Sequence, residues 1–363
     1  MLIGISLALC SAVLLGNYAL PSKYAKGFSW DHVWGGFFFF GMVVIPIVVT
    51  FAMVGDLWEI YGKISGWVIP TMLALSFFWG IGNILWGYSI ASIGMALAFS
   101  LFLGVITSID TLLPLLLVPE GQESVIGTRI GTIILLGIAT IVSGIAINGY
   151  AGVLRDREKT GETATSDSRA VRRGIFCCVL GAVFAAGFNL AYHVGNNLGG
   201  IGEIAEMQFG YAPWVARLAV LFPIFMGAAL STMVFFVFRI TKAGSWGNYT
   251  GKYALLGVGM VAIMAVFHDA ALLIYGLAAY HLGELGTSVG FAILETGAIV
   301  VATANGILTK EWHGTSARSR KTLAVSLAVV IFGVLIVARA NYLKVAADEE
   351  GAVPATAHGL KPL

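Results

Sequence analysis

Long apolar stretches without charge recur along the whole chain and are separated by short polar segments. Six of them contain no Asp, Glu, Lys or Arg: residues 32–55, 64–109, 130–154, 174–202, 218–238 and 322–338. A helix needs about 20 apolar residues to cross the hydrocarbon core of a bilayer. The stretches therefore predict membrane-spanning helices, and the longest, 64–109, predicts two helices with a turn at residues 91–94.

Three further runs complete the set: the N-terminal run 2–20 and two runs that each contain one acidic residue, 253–280 and 287–308. No Lys or Arg precedes the first run and no cleavage pattern follows it, so we expect it to stay as the first helix. The chain is thus predicted to be an all-α polytopic membrane protein. Its ten transmembrane helices are placed near residues 2–20, 33–54, 67–90, 94–118, 130–150, 175–196, 215–238, 253–280, 287–308 and 322–342.

Composition narrows the class of protein further. Hydrophobic residues make up 58% of the chain and charged residues 11%, which excludes a soluble globular protein. The 22 Phe, 12 Tyr and 9 Trp exclude a disordered one. A net charge of +2 gives no general attraction for nucleic acid, so we do not expect a nucleic acid as a partner. The lipid bilayer is the expected surrounding of the chain.

The sequence offers no sign of a cofactor, a metal site or a catalytic centre. The six His residues are scattered, the three Cys residues form no spaced framework, and the glycine pattern is too loose for nucleotide binding. We therefore expect a protein that is not an enzyme, and the number of subunits is left open.

The distribution of basic residues predicts an orientation. Fifteen of the twenty-one Lys and Arg residues lie in loops after odd-numbered helices, whereas Lys63 and Arg129 lie in loops on the other side. Loops rich in Lys and Arg stay in the cytoplasm. Both termini are therefore expected outside, although four basic residues, among them Arg217 and Arg339, fall on the outer side and weaken the count.

The longest polar segment divides the chain into equal halves. We predict a first five-helix repeat at 1–150, a cytoplasmic linker at 151–174, a second five-helix repeat at 175–342 and a disordered tail at 343–363. An odd number of helices per half would insert the second half upside down. ILWGYSIASIG in helix three aligns with LIYGLAAYHLG in helix eight, pairing Trp86 with Tyr275. The alternative is chance similarity between glycine-rich apolar helices.

Several strings resemble one known family. They are YALPSKYAKGFSWDHVW (18–34), WGIGNILWG (79–87), SIGMALA (92–98), FRITK (238–242) and LTKEW (308–312). Together they resemble the L-rhamnose/proton symporters of the drug/metabolite transporter superfamily, over nearly all of residues 10–315. The resemblance implies two inverted five-helix halves, proton-driven sugar uptake and a location in the bacterial inner membrane. It assigns no role to Asp110, Asp269 or Glu295.

Helix three carries a candidate sugar site. Trp79, Asn83 and Trp86 recur at i, i+4 and i+7 and so form one stripe. An aromatic face covers the apolar side of a sugar ring, and an amide replaces water around its hydroxyls. The repeat offset places His268 and Tyr275 at the equivalent positions of helix eight, so all five are candidate substrate-binding residues. The alternative is that Trp and Asn only hold helices together.

Helix six carries a second polar stripe of Asn189, His193 and Asn196. We expect Asn189 and His193 to contribute to substrate binding. The alternative is that the stripe caps the end of the helix, which is the preferred interpretation for Asn196.

Acidic residues within predicted helices are the candidate proton carriers. A charged acid near the centre of a membrane helix costs about 2.5–3.5 kcal/mol on insertion scales, and burial disfavours its charged form. Asp269 is the first choice, with Glu295 and Asp110 as further candidates, and the alternative for each is a structural acid. His268 adjoins Asp269, but consecutive helical residues point about 100° apart, so the two side chains need not contact each other.

Four functions are weighed on these grounds. The first is proton-coupled import of L-rhamnose or a related sugar by alternating access. The second is export or exchange of other small metabolites by the same architecture. A membrane-embedded enzyme would need a charged cluster at the headgroup level, and a channel would need a filter ring. Neither feature is visible in the sequence, so the small-molecule sugar and the proton are the expected partners.

Overall fold

The computed structural model describes residues 2–93, 95–116, 127–160, 168–283, 286–310 and 312–352. Within these ranges all regular secondary structure is helical. The α-helices are α1 (Leu2–Asn17), α2 (Trp30–Phe39), α3 (Ile45–Met53), α4 (Leu57–Gly62), α5 (Val68–Ile93), α6 (Met95–Leu116), α7 (Arg129–Thr160), α8 (Ser168–Ala185), α9 (Gly187–His193), α10 (Ile201–Phe209), α11 (Pro213–Lys242), α12 (Ala254–Leu282), α13 (Gly286–Leu308) and α14 (Ala317–Ala352).

Nine segments of the described chain are long and apolar enough to cross a membrane. They are Leu2–Tyr24, Trp30–Met53, Val68–Ser89, Arg129–Arg155, Arg172–Leu198, Pro213–Lys242, Ala254–Leu282, Gly286–Leu308 and Ala317–Ala340. These spans coincide with nine of the predicted helices. The remaining one, predicted at 94–118, corresponds to α6, in which a shorter apolar stretch, Leu101–Asp110, is found.

The second span contains a wide turn that the hydropathy pattern does not reveal. Helix α2 passes through a π-helical turn, Phe40–Val44, before α3 begins. Pro46 lies at the start of α3 and has no N–H, so it cannot donate the hydrogen bond that a regular helix needs there. A π turn is one way for a helix to accommodate such a loss. The sixth span ends in a second π turn, Val194–Leu198, which follows α9.

Two short helices lie between predicted membrane helices, in segments for which no regular structure is predicted. Helix α4 follows the second span, and α10 joins the sixth span to the seventh. Gly200 and Gly210 flank α10 with φ angles of +65° and +71°. Only glycine adopts this left-handed conformation without strain, so the two residues set both ends of α10.

The spans pack closely through small residues. Helix α5 packs against α8 and α11, α12 packs against α1 and α2, and α7 packs against α14. At the α5–α8 contact a Cβ on Gly82 would lie 2.5 Å from the carbonyl oxygen of Gly181. Such close backbone approach is how membrane helices gain packing energy, and Gly82 can be replaced only by separating the two helices.

Side-chain contacts identify which loops share one end of the molecule. Arg239 Nε lies 2.6 Å from Asp31 Oδ1, which joins the end of α11 to the start of α2. Glu158 near the end of α7 accepts hydrogen bonds from Ser316, just before α14. Lys23 Nζ, after α1, lies 3.4 Å from Thr309 Oγ1, after α13, and so joins these two pairs of loops. The loops after the first, fifth, seventh and ninth predicted helices therefore lie at one end.

The predicted linker and tail are partly helical. Helix α7 extends to Thr160 and α8 begins at Ser168, so helices occupy both ends of the predicted linker, and residues 161–167 lie outside the described ranges. Helix α14 continues to Ala352, inside the segment predicted as a tail. Residues 353–363 and Gly94, in the predicted turn at 91–94, also lie outside those ranges.

Candidate functional site

Two aromatic rings from different halves of the chain face each other in the interior. The indole of Trp79 on α5 and the imidazole of His268 on α12 are inclined by only 11°, with centroids 6.4 Å apart. Both residues are buried. They occupy equivalent positions in the predicted repeat, and the structure places their rings next to each other.

Further aromatic side chains surround this pair. The ring of Phe188 lies 4.9 Å from that of Trp79, centroid to centroid. The rings of Phe37 and Tyr18 lie 5.2 Å and 5.6 Å from His268. Apolar ring faces therefore surround Trp79 and His268 on several sides, and the imidazole nitrogens of His268 lie among them.

His268 contacts the acid that follows it, which the helical angle alone leaves open. Its Nδ1 lies 3.0 Å from Oδ1 of Asp269. The Cα–Cβ bonds of the two residues point in different directions, but their side chains turn towards each other and bring the imidazole within hydrogen-bond distance of the carboxyl group. When Nδ1–H donates to the carboxylate, Nε2 of a neutral imidazole is an acceptor.

The second carboxylate oxygen of Asp269 is buried and has no hydrogen-bond partner among the described residues. The π turn of the second span faces the other oxygen, because a Cβ on Gly41 would lie 3.2 Å from Oδ1. Burial of an ionised carboxylate whose one hydrogen-bond partner is a neutral imidazole costs free energy, whereas burial of a protonated carboxyl group costs much less.

The remaining members of the stripe on helix three are arranged differently. Asn83 donates from Nδ2 to the carbonyl of Trp79 in its own helix, at 3.1 Å. The ring of Trp86 contacts Trp34 and Phe102, with centroids 6.4 Å and 5.3 Å apart. Through Trp34 and Tyr18, Trp86 is connected to the aromatic residues around His268.

Asn189 joins four helices by hydrogen bonds. Its Nδ2 donates to the carbonyl oxygens of Asp110, at 2.9 Å, and Thr287, at 3.0 Å. Its Oδ1 accepts from the hydroxyl of Tyr275. His193 Nδ1 lies 3.0 Å from Thr287 Oγ1. In this conformation the amide of Asn189 connects α9, α6, α13 and α12, so this polar group is separate from the Trp79–His268 pair.

Asp110 and Glu295 lie in the same region as Asn189. Asp110 is only 1% exposed, and its Oδ2 has no hydrogen-bond partner in the described part of the chain. Glu295 lies within electrostatic range of Asp110 and of Tyr18. Tyr18 also contacts His268, so Glu295 is close to both polar groups.

Arg217 is an interior residue that the sequence analysis assigns only to the outer side. It is 2% exposed and forms an ion pair with Glu206 of α10. Its Nη1 donates to Asn196 Oδ1 at 2.7 Å, and its guanidinium lies 5.0 Å from the ring centroid of Tyr280. A lone Arg in the first turns of an apolar helix is itself a signal, because such residues pair with a partner.

Sequence comparison gives the family. A profile of the L-rhamnose-proton symport protein (RhaT) family matches residues 1–246. The chain belongs to this family. The RhaT family consists of transporters, so its members are not enzymes. The matched segment contains Trp79, Asn83, Asp110 and Asn189 and ends before α12.

Curated relatives extend the similarity. An L-rhamnose-proton symporter of Pectobacterium atrosepticum is 23% identical over 342 residues, which cover 93% of this chain and 97% of the relative. The one of Pectobacterium carotovorum is 24% identical with the same coverage. That of Yersinia pestis bv. Antiqua is 29% identical over 194 residues, 52% of this chain and 54% of its own.

A solved crystal structure superposes on 92% of this chain and 98% of its own, with a TM-score of 0.51 and 13% identity. Similarity at that identity shows a shared fold and nothing about substrate.

Proposed function

We propose that this RhaT-family member imports L-rhamnose together with protons, by alternating access, across the inner membrane of a bacterium. Family membership and relatives named L-rhamnose-proton symporter support this function. The observation that carries the mechanism is the contact of Trp79 with His268 and of His268 with Asp269. It joins an aromatic surface suited to a sugar to a buried acid suited to a proton.

The sugar site is proposed around Trp79 and His268. The apolar face of a pyranose ring stacks on an indole, and its hydroxyls need hydrogen-bond partners when they leave water. Nε2 of His268 is such a partner when Nδ1–H points at Asp269. Rhamnose carries a methyl group where most hexoses carry a hydroxymethyl group, and Phe37 and Phe188 offer that methyl an apolar surface.

Proton binding is proposed at Asp269. The proton removes the cost of a buried charge, so the loaded carrier can close around its substrate. His268 contacts both the acid and the sugar site, so occupancy of one site changes the affinity of the other, and the effect is reciprocal. Glu295 and Asp110 are proposed as additional proton-binding groups, and Asn83, Trp86, Asn189, His193 and Tyr275 are proposed to meet the sugar in other conformations of the cycle.

The architecture is proposed to be ten spans in two inverted halves, with α6 as the fourth span. In the predicted repeat, span one is equivalent to span six, span two to span seven, and so on. If each helix of an observed contact is replaced by its equivalent in the other half, the result is another observed contact. The α5–α8 pair becomes α12–α1, α6–α8 becomes α13–α1, and α11–α5 becomes α2–α12. The contact between Trp79 and His268, which are equivalent in the repeat, supports the same symmetry.

Both termini are proposed to face outward. The shared end of the loops after odd-numbered helices carries most Lys and Arg, which supports a cytoplasmic position for it. Arg217 and Glu206 then close the outer end, and opening to the outside has to separate α10 and α11 from α12.

Proteoliposomes test this function. With an inward proton gradient we expect accumulation of labelled L-rhamnose, and a protonophore should abolish it. Competition by L-mannose and L-fucose at equal concentration would measure how far the site depends on the positions of the hydroxyls. Accumulation without a gradient, or binding insensitive to sugar hydroxyls, would favour export or exchange of another metabolite.

A further inference from the structure

An open groove lies between α7 and α14, two helices that carry no residue of the proposed sugar site. Its volume is 450 Å³, and it is lined by Ile147, Ala317, Arg318, Lys321, Thr322 and Val325. The α7 and α14 helices pack along each other, and Asn148 Nδ2 lies 3.3 Å from Ser326 Oγ, which fixes their register beside the groove.

Aromatic residues place the groove at the level of lipid headgroups. Arg318 Nη2 donates to the hydroxyl of Tyr150 at 3.1 Å. The guanidinium of Arg155 lies 5.1 Å from the ring centroid of Trp312. Tyr and Trp flanked by basic residues are typical of the boundary between hydrocarbon and water. Arg155 ends one membrane span and Ala317 begins another, in agreement with that level.

The lining combines positive charge with an apolar wall. Arg318 and Lys321 are exposed at one end of the groove, whereas Ile147 and Val325 provide the wall further into the membrane. The hydroxyl of Thr322 donates to the carbonyl of Arg318 and is not a free donor. Two positive side chains beside the apolar wall of the groove are complementary in charge and polarity to a phosphate group with an attached acyl chain.

Glu158, an acid beside this site, is already engaged. Glu158 accepts hydrogen bonds from the hydroxyls of Ser316 and Ser319 and from the backbone N–H of Ser316. It lies within electrostatic range of Arg318 and offsets part of its charge. Lys321 supplies a second positive charge, so the groove retains a net attraction for anions.

We propose that this groove binds an anionic phospholipid, with the phosphate between Arg318 and Lys321 and one acyl chain along Ile147 and Val325. Basic pockets between membrane helices are known to bind anionic headgroups. The lipid would hold the ends of α7 and α14 together. The proposal depends neither on the sugar that is transported nor on which leaflet is cytoplasmic.

Native mass spectrometry of the detergent-solubilised full chain tests the site. Phosphatidylglycerol and phosphatidylethanolamine with identical acyl chains are added, and we expect the protein to retain phosphatidylglycerol preferentially. Arg318→Gln and Lys321→Gln should each weaken that retention about fivefold, the effect of roughly one basic residue near an anionic surface. Val325→Trp should also weaken the retention of phosphatidylglycerol, because the larger side chain fills the groove beside the apolar wall.

Arg320→Gln is the matched control, because it removes the same charge from the same turn without lining the groove. It should leave the preference for phosphatidylglycerol unchanged, and thermal unfolding should show that Lys321→Gln is folded. Equal retention of both lipids by the wild-type protein would overturn the proposal. So would an equal loss with Arg320→Gln, or displacement of the lipid by millimolar inorganic phosphate, which would indicate a site for free anions.

Discussion

Oδ1 of Asp269 lies 3.0 Å from Nδ1 of its own neighbour His268, while the imidazole of His268 lies almost parallel to the indole of Trp79. One side chain thus contacts both the proposed proton carrier and the proposed sugar surface. This arrangement makes three residues separately testable, because each has one expected defect.

Trp79→Ala should weaken L-rhamnose binding without abolishing coupling to protons. Loss of the aromatic surface should raise KM for uptake about tenfold, corresponding to roughly 1.4 kcal/mol, which is within the range of aromatic contacts. Initial rates of labelled sugar uptake measure it. Trp58→Ala, at an exposed position on α4, is the control and should leave KM unchanged. An unchanged KM for Trp79→Ala would remove this residue from the sugar site.

Asp269→Asn should separate transport from proton coupling. The amide has the size of the carboxyl group but cannot release a proton, so sugar exchange at equilibrium should continue while accumulation is lost. Counterflow and gradient-driven uptake in the same proteoliposomes measure the two activities. Glu59→Gln, which changes an exposed acid on α4, should keep both. If Asp269→Asn still concentrates sugar, another acid carries the proton, and Glu295→Gln and Asp110→Asn are tested next.

His268→Gln should break the connection between the two sites. In wild-type protein, adding L-rhamnose to a weakly buffered sample should cause proton uptake, because the two ligands favour each other's binding. In the variant, sugar should still bind weakly, but proton uptake should disappear. A pH-indicator dye measures the protons, and His281→Gln at the exposed end of α12 is the control. Proton uptake at the wild-type level by His268→Gln would show that the histidine is not needed for coupling.

Arg217→Gln should destabilise the protein far more than Arg239→Gln. The first change leaves Glu206 partly buried without its counter-charge, which costs about 3 kcal/mol or more. Arg239 is 49% exposed, and loss of its pair with Asp31 should cost less than about 1 kcal/mol. Unfolding in SDS followed by circular dichroism gives the free energy of unfolding. Equal and small losses for both variants would show that the Arg217 cluster is not a structural tie.

The junction of α7 and α14 should weaken in acid because of Glu158. Hydrogen bonds from Ser316 and Ser319 lower the pKa of its carboxyl below the usual value of 4.5. A lowered pKa in the folded state means that the ionised form adds stability above pH 4.5, and this stability is lost as the pH falls through the lowered pKa. The protection factors of backbone amides at the start of α14, which correct for the slower intrinsic exchange in acid, should therefore fall as the pH is lowered.

Glu158→Gln supplies the comparison for this pH effect. It should show lower protection factors at neutral pH and a smaller change in them on acidification, because the amide does not ionise. If the wild-type and variant proteins respond to acid in the same way, Glu158 does not control the junction.

The nine membrane spans of the described chain follow from the sequence because each has a simple property, a run of about 20 predominantly apolar residues with few charges. The meeting of Trp79 with His268 was also foreseeable in part, since the predicted internal repeat assigns them equivalent positions. The contact of His268 with Asp269 was not, because it depends on rotamers that hydropathy does not encode. Nor was the cluster around Arg217, whose partners Glu206 and Asn196 come from the preceding loop and span.

The wide turn at Phe40–Val44 affects more than the hydrogen bonds around Pro46. One additional residue in a helical turn rotates everything beyond it by roughly 100° about the helix axis. A chain lacking a single residue of this turn would keep its hydropathy, its charges and its number of crossings. Its α3 half-helix, however, would direct different side chains inward and would no longer match the surface formed by α11.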